Sequence, residues 1–380
     1  MHDPGKILEL NLRTRLVFEC GGLRHLGALA RELGGRRALL VTDRGVAAAG
    51  HLARARASLE GGGLVVAVFD AVHENPTTLD VAACAVAARS HGTDLLIGLG
   101  GGSALDAAKG ANFLLTQGGE LRDFWGVGKA NRPMLPFIAV PTTAGTGSEV
   151  QSAALIADAD THQKMACLDV KAAARVAILD PELTLTQPAR VTACTGLDAL
   201  AHAIESAVTR ERNWISDWFA REAFQRLWPA FPRVLAAPGD LVPRGEMLLG
   251  AAFAGWAIEH SMLGAAHALA NPLTAHAGVV HGHAVALMMA QVIRLNSGDG
   301  SAAEIYASLS HAVGSPGGSL ADAWNERLAR TGLVTRLRDC GVERELLPTL
   351  AGEAAKQWTL RFNPRALGEG ELLAAYEAVW

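Results

Sequence analysis

Two stretches of this sequence hold most of the residues that could bind a metal. Thr195 to Ser206 reads TGLDALAHAIES, with Asp198 and His202 four residues apart. On a helix, positions i and i+4 project from one face. Residues 260 to 283 read HSMLGAAHALANPLTAHAGVVHGH and carry five of the chain's thirteen histidines in an otherwise apolar, alanine-rich run. Taking His267 and His281 from that run together with Asp198 and His202 gives three imidazoles and one carboxylate. This is a closed four-ligand set for a borderline divalent ion, and without thiolate it suits Fe2+ or Zn2+. Any one of these histidines alone is more simply a hydrogen-bonded core residue, so the metal reading rests on the constellation. His2, His25, His51, His73, His91, His162 and His311 are read as surface or structural residues.

A second chemistry is written in glycine. Leu95 to Lys109 (LLIGLGGGSALDAAK) runs from an apolar strand through Gly100, Gly101, Gly102 and Ser103 into a helix. Glycines let a ligand approach the backbone closely, and the helix start offers unpaired N–H groups and a favourable dipole to a pyrophosphate. Ser103 is either the helix N-cap or a phosphate donor. An ordinary strand-to-helix turn is the competing reading, and the run is not the G-x-G-x-x-G fingerprint, because it follows the third strand. Asp43 closes the first strand, where a carboxylate can bond ribose hydroxyls and repel a 2′-phosphate, or simply cap a helix. Pro141 to Glu149 (PTTAGTGSE) is another polar, glycine-rich loop after an apolar strand, with hydroxyls suited to lining a nucleotide crevice.

The elements that must position these residues follow from apolar periodicity. Short apolar runs at Ala38–Thr42, Leu64–Phe69, Asp94–Leu99, Pro136–Val140 and Val176–Leu179 alternate with helical segments at Leu23–Leu33, Val46–Leu59, Leu79–Ser90 and Ala104–Leu115. Continuous apolar strands alternating with helices predict a doubly wound parallel sheet covered on both faces. After Pro181 the texture becomes helical throughout. The expected organisation is an α/β dinucleotide-binding domain over residues 1–185 and an all-α metal-binding domain over 186–380, with the boundary inside Asp180 to Arg190.

Composition narrows the partners. Half the residues are hydrophobic, 19% are charged and the formal net charge is −4, with no block of either sign. That argues against a nucleic-acid face and for a small-molecule substrate. The five cysteines are scattered without a C-x-x-C pair, which suits a reducing compartment. MHDPGKILEL has no basic-then-apolar leader pattern, and the apolar segment Met247–Ile258 is about half the length a bilayer needs. A cytoplasmic protein off the membrane is expected.

Taken together, GGGSALDAAK, PTTAGTGSEV, the D-x-x-x-H of Asp198 and His202, and the H-A-L-A-x-P-L…H-G run from His267 to Gly282 resemble the iron-containing (group III) alcohol dehydrogenases. The resemblance extends from VTDRG at Val41, through ENP at Glu74 and DPELT at Asp180, to the terminal NPRALGEGELLAAYEAVW. It implies a Rossmann-like N-terminal domain, a helical C-terminal domain and an active site in a cleft. It also implies a homodimer and a metal-assisted hydride transfer between a nicotinamide cofactor and a small alcohol or aldehyde. It carries over Asp198, His202, His267 and His281 as metal ligands. Asp43 and Asn75 fall at the adenosine and ribose end of the cofactor, with NAD expected over NADP. Gly101, Gly102 and Ser103 fall at its pyrophosphate, and Thr142, Thr143 and Thr146 along the route to the nicotinamide. Asp106, Lys164 and Leu183 match other cofactor-contacting positions.

One departure stands out. Family members commonly have H-A-x-A-H-P, whereas this chain has Asn271 before Pro272. Asn271 can donate and accept hydrogen bonds but cannot relay a proton near neutral pH. His260 lies seven residues before His267, two turns along the same face if one helix spans both, and with His276 is a candidate for proton handling or the cleft wall. His283 is read as structural. The alternatives are a related enzyme on an anionic substrate (glycerol-phosphate-dehydrogenase-like), a maleylacetate-reductase-like enzyme, or a non-catalytic NAD- or metal-binding protein.

Overall fold

The computed structural model describes residues 12–161, 163–312, 314 and 318–380. The N-terminal decapeptide, His2 and His162 lie outside them. The chain divides into two units, one ending at Gln187 and the other resuming at Pro188.

The α/β unit contains β1 (Arg15–Phe18), β2 (Arg37–Val41), β3 (Val65–Phe69), β4 (Leu95–Gly100), β5 (Gly126–Val127), β6 (Phe137–Pro141), β7 (Ala153–Ala157), β8 (Lys164–Leu168) and β9 (Val176–Leu179). Six of these form a parallel sheet in the order β1-β9-β6-β4-β2-β3. Its helices are α1 (Leu26–Glu32), α2 (Arg44–Ala48), α3 (His51–Gly61), α4 (Thr78–His91) and α5 (Gly102–Gln117). In-register neighbours Leu39, Leu96 and Phe137 face α4 and α5 with Val81, Cys84 and Leu105. The alternate residues Leu40, Ile97 and Ile138 face α1 and α3 with Leu26 and Leu59. Each leucine or phenylalanine so buried contributes about 1.5–3 kcal/mol, which explains why β4 and β6 read as unbroken apolar runs.

Three features differ from the sequence expectation. The helix read over Val46–Leu59 is two helices, parted at Gly50 with φ of 85°. β1, four residues long and half exposed at the sheet edge, was not read, its apolar run being only Leu16–Phe18. A second sheet, β5-β8-β7, is carried between β4 and β9, where no strands were read apart from β6.

The helical unit contains α6 (Ala189–Ser206), α7 (Trp214–Ala236), α8 (Leu241–Ser261), α9 (Ala265–Ala277), α10 (His281–Asn296), α11 (Gly300–Ala312), α12 (Leu320–Ala329), α13 (Leu347–Ala354) and α14 (Glu369–Glu377), with no strand among its described residues. A β-carbon on Gly282 would stand 2.3 Å from the Cys194 carbonyl oxygen and 3.1 Å from Asp198 Cβ. Only glycine lets the start of α10 close on the middle of α6. That approach delivers His281 to Asp198.

Candidate metal and dinucleotide sites

In the helical unit, α6 is buried along nearly its whole length and turns Asp198 and His202 to the same side. His267 comes from the first turn of α9 and His281 from the first residue of α10. Asp198 Oδ1 lies 3.6 Å from His202 Nε2 and 3.6 Å from His267 Nε2. Ligand atoms of Asp198, His267 and His281 all fall within 4.8 Å of one another. The His202 and His267 rings stack at 4.8 Å, and His281 is tilted 5.5 Å from His267.

Donors held about 2.1 Å from one ion in a tetrahedron stand roughly 3.4 Å apart, so these separations fit a shared cation. Two buried atoms say the same. Asp198 Oδ1 and His267 Nε2 make no hydrogen bond, and a buried polar atom without a partner is costly unless something else satisfies it. The charges are coupled too. Burial would raise the Asp198 carboxyl, but the charges of His202, His281 and His267 hold it well below the usual carboxylate range. Burial would lower His267, but the Glu205 and Asp198 carboxylates push it up to about 9.

Glu205 was not singled out in the sequence, yet it completes one face of α6 with Asp198 and His202 at i, i+4 and i+7. That spacing in TGLDALAHAIES was the available signal. Its Oε2 lies 2.5 Å from His267 Nδ1.

The α/β unit gathers the glycine-loop residues. A β-carbon on Gly102 would meet Thr146 Cγ2 at 2.8 Å, and one on Gly101 would meet Thr143 Cγ2 at 3.4 Å. The start of α5 and the loop after β6 are thus in van der Waals contact. Ser103 Oγ accepts the Asn75 N–H at 3.3 Å, with Asn75 in the left-handed region at φ 52°. Asp43 accepts the Val46 N–H at 2.9 Å as N-cap of α2, while its Oδ2 lies 3.3 Å from the β-carbon position of Gly100. The Thr142 N–H donates to the Gly100 carbonyl at 2.9 Å. Asp43, Asn75, Gly101, Gly102, Ser103, Thr142, Thr143 and Thr146 therefore share one edge of the sheet.

The other assigned residues are placed differently. Asp106 turns inward: Oδ1 accepts from Ser148 Oγ at 2.5 Å and Oδ2 from the Leu155 N–H at 3.1 Å. Lys164 is exposed at the start of β8, opposite Ala157, which bridges to Thr77 near Asn75. Leu183 is fully buried in the apolar cluster beside α1 and α3. Lys109, not assigned from sequence, is wholly buried and donates to the Ser148 carbonyl, Ser148 Oγ and the Ala153 carbonyl at 2.6–2.8 Å. Burial pushes the nearby Glu149 carboxyl up to about 7, against the pull of the Lys109 ammonium.

The model for iron-containing alcohol dehydrogenases matches residues 13–181, and the C-terminal model of the Fe-containing family matches 192–380. The chain belongs to the iron-containing alcohol dehydrogenases. As a family member it is an oxidoreductase acting on CH–OH groups. It is 35% identical to 4-hydroxybutyrate dehydrogenase from Cupriavidus necator, over 93% of this chain and 94% of that one. A solved 1,3-propanediol oxidoreductase superposes with a TM-score of 0.93 at 30% identity, covering 99% of this chain and all of that one. A sulfoacetaldehyde reductase from Bifidobacterium kashiwanohense, solved in complex with NAD+, gives 0.88 at 27% identity with 99% of each chain covered.

Within this alcohol dehydrogenase, Asn271 Nδ2 donates to Gln357 Oε1 at 3.0 Å. His260 does not share a helix with His267. α8 ends at Ser261, Met262 takes φ of 75°, and α9 starts at Ala265, so the seven-residue spacing is not two turns of one face. His276 is exposed and pairs with Glu353 at 2.8 Å. His283 is buried and bonds the Val334 carbonyl at 2.8 Å. No helix among the described residues is long and apolar enough to cross a membrane.

Proposed function

We propose that this alcohol dehydrogenase interconverts short primary alcohols and their aldehydes with NAD, using one Fe2+ or Zn2+ held by Asp198, His202, His267 and His281. The observation that carries the reading is the convergence of these four side chains, with Asp198 Oδ1 and His267 Nε2 buried and unbonded. A divalent ion there supplies Lewis acidity to a substrate oxygen, and a nicotinamide supplies the hydride acceptor or donor.

The chain's own residues do the rest. The Gly101–Gly102–Ser103 turn offers backbone N–H groups and the α5 dipole to a pyrophosphate. Asp43 accepts ribose hydroxyls and repels a 2′-phosphate, which favours NAD over NADP. Asn75, Thr142, Thr143 and Thr146 complete the cofactor edge, and Lys164 reaches it from β8. Asp106 serves it indirectly by fixing Ser148, and Leu183 by packing beneath the sheet. Asn271 binds and orients through hydrogen bonds but does not exchange a proton near neutral pH, so the substrate proton is not passed to position 271. His260 is assigned, with Asn271, to proton handling or the substrate cleft. The names of the 4-hydroxybutyrate and 1,3-propanediol relatives both describe short primary alcohols, which supports the substrate class. A cytoplasmic homodimer belongs to the same proposal; the five free cysteines suit a reducing compartment.

A panel of short aldehydes with NADH and NADPH, before and after chelation, tests the reading. Reduction should favour NADH, stop when the metal is removed and return when Fe2+ or Zn2+ is restored. Full activity in thoroughly chelated protein contradicts it.

A further inference from the structure

Glu205 is 2% exposed and uses both carboxylate oxygens. Oε2 faces His267 Nδ1 at 2.5 Å, and Oε1 accepts the Ala266 N–H at 2.7 Å. An ionised carboxylate only accepts hydrogen bonds, so Nδ1 carries a proton, and Nε2 is the atom left to offer a lone pair to a cation beside Asp198. The turn bearing Ala266 is itself held. Asn363 Oδ1 accepts the Ala265 N–H at 3.2 Å, and Asn296 and Asn363 exchange side-chain hydrogen bonds at 2.7 and 3.0 Å. Gly264 lies between these groups; a β-carbon there would stand 2.9 Å from Asn363 Oδ1 and 3.1 Å from Glu205 Oε1. Four parts of the helical unit thus meet around the turn that carries His267: α6 through Glu205, the turn into α9 itself, the end of α10 through Asn296, and the segment before α14 through Asn363.

We infer that Glu205 is a positioning residue for the metal centre, fixing the tautomer and orientation of His267, and that the Asn296–Asn363 pair holds the turn into α9 against it. This rests on the four-residue site proposed above. Carboxylates in this position commonly change metal affinity by about 10–100-fold.

Glu205→Gln separates positioning from filling. Glutamine has the same shape, but with its oxygen on the Ala266 N–H its NH2 meets Nδ1 and drives the proton to Nε2, the ligand atom. Turned the other way, the NH2 opposes the Ala266 N–H. The first orientation keeps both hydrogen bonds but puts the proton on the ligand atom, and the second keeps the tautomer but loses the Ala266 bond. Glu205→Asp keeps the charge with a shorter reach and serves as the partial-rescue variant.

The measurement is the Zn2+ dissociation constant by competition with a chelating dye, on full-length protein stripped of metal. The Co2+ visible spectrum reports the ligand geometry, and thermal unfolding of the metal-free variants reports folding. The inference expects about a 10–100-fold weaker Zn2+ affinity in Glu205→Gln, an altered Co2+ spectrum and an intermediate value for Glu205→Asp. Asn363→Ala should weaken affinity by a smaller factor in the same direction. Glu205→Gln binding Zn2+ within twofold of the parent overturns the inference while the four-residue site stands. A parent that binds no metal overturns the site and the inference with it.

Discussion

The two sites of this chain are built from opposite materials. The proposed metal centre is made of buried side chains from three helices, with two candidate ligand atoms, Asp198 Oδ1 and His267 Nε2, that make no hydrogen bond. The proposed dinucleotide edge is made mostly of backbone: glycines against threonines, a serine hydroxyl on a neighbouring N–H, a carboxylate with one oxygen on a helix cap. The first fails when a functional group is removed. The second fails when an atom is added. Substitutions of opposite kind should therefore break each.

The largest expected effect is at the side-chain site. His281→Ala removes one ligand without filling space, and alcohol oxidation should fall by on the order of 10³-fold, a loss of several kcal/mol of transition-state stabilisation. NAD affinity, measured by fluorescence titration, should stay within about twofold, because the cofactor edge belongs to the other unit. Equal losses of activity and NAD affinity would erase the distinction between the sites.

Lys109→Met probes the support of the backbone site. It removes a wholly buried ammonium that holds the loop after β6 to α5, leaving the Ser148 and Ala153 carbonyls without their donor. Urea unfolding should show a loss of about 3–5 kcal/mol, as for other broken buried charge networks. A loss below 1 kcal/mol would show that the loop holds itself.

Gly102→Ala adds one methyl 2.8 Å from Thr146 Cγ2, so the loop must move. The KM for NAD should rise about tenfold with metal content unchanged, and Gly102→Ala combined with Thr146→Ser, which deletes that methyl, should recover part of it. The recovery is the sharper readout, because distant sites add and touching ones do not.

A smaller effect is a pH dependence. Glu149 titrates near 7 in the folded protein, above its ordinary 4.5, because burial disfavours its charge. The folded state therefore binds the extra proton, and stability is fully present at low pH and falls between about 4.5 and 7. Glu149→Gln should gain on the parent by on the order of 1–3 kcal/mol between pH 4.5 and pH 8 in urea unfolding. A difference that does not change with pH contradicts the assignment.

The same contrast explains what the sequence showed. Asp198 and His202 at i, i+4, and the long apolar runs of β4 and β6, were legible because periodicity reports which side of an element is buried. Gly100 to Ser103 marked a helix start in a loop, which is a local signal. Glu205 stood in view on the same face of α6 but was not singled out, since its contact is with a histidine 62 residues away. Asp106 read as a cofactor-contacting position and Lys109 was not assigned, yet both side chains turn inward to Ser148 and the β7 backbone. The helix break at Met262, which separates His260 from His267, has no glycine or proline at its left-handed residue to announce it. β1 carries only the three-residue apolar run Leu16–Phe18 and β5 is two residues long, so neither stood out, whereas Ala153–Ala157 and Met165–Leu168 are apolar runs that were legible and not read as strands.

The central claim is that Asp198, His202, His267 and His281 hold one divalent ion. Metal content per chain of the parent and of Asp198→Ala, after equilibration with Fe2+ or Zn2+ and gel filtration, tests it most directly. One ion per chain in the parent and far less in the variant, with activity lost in step, is the expected result. An Asp198→Ala protein that keeps its full metal content would contradict it.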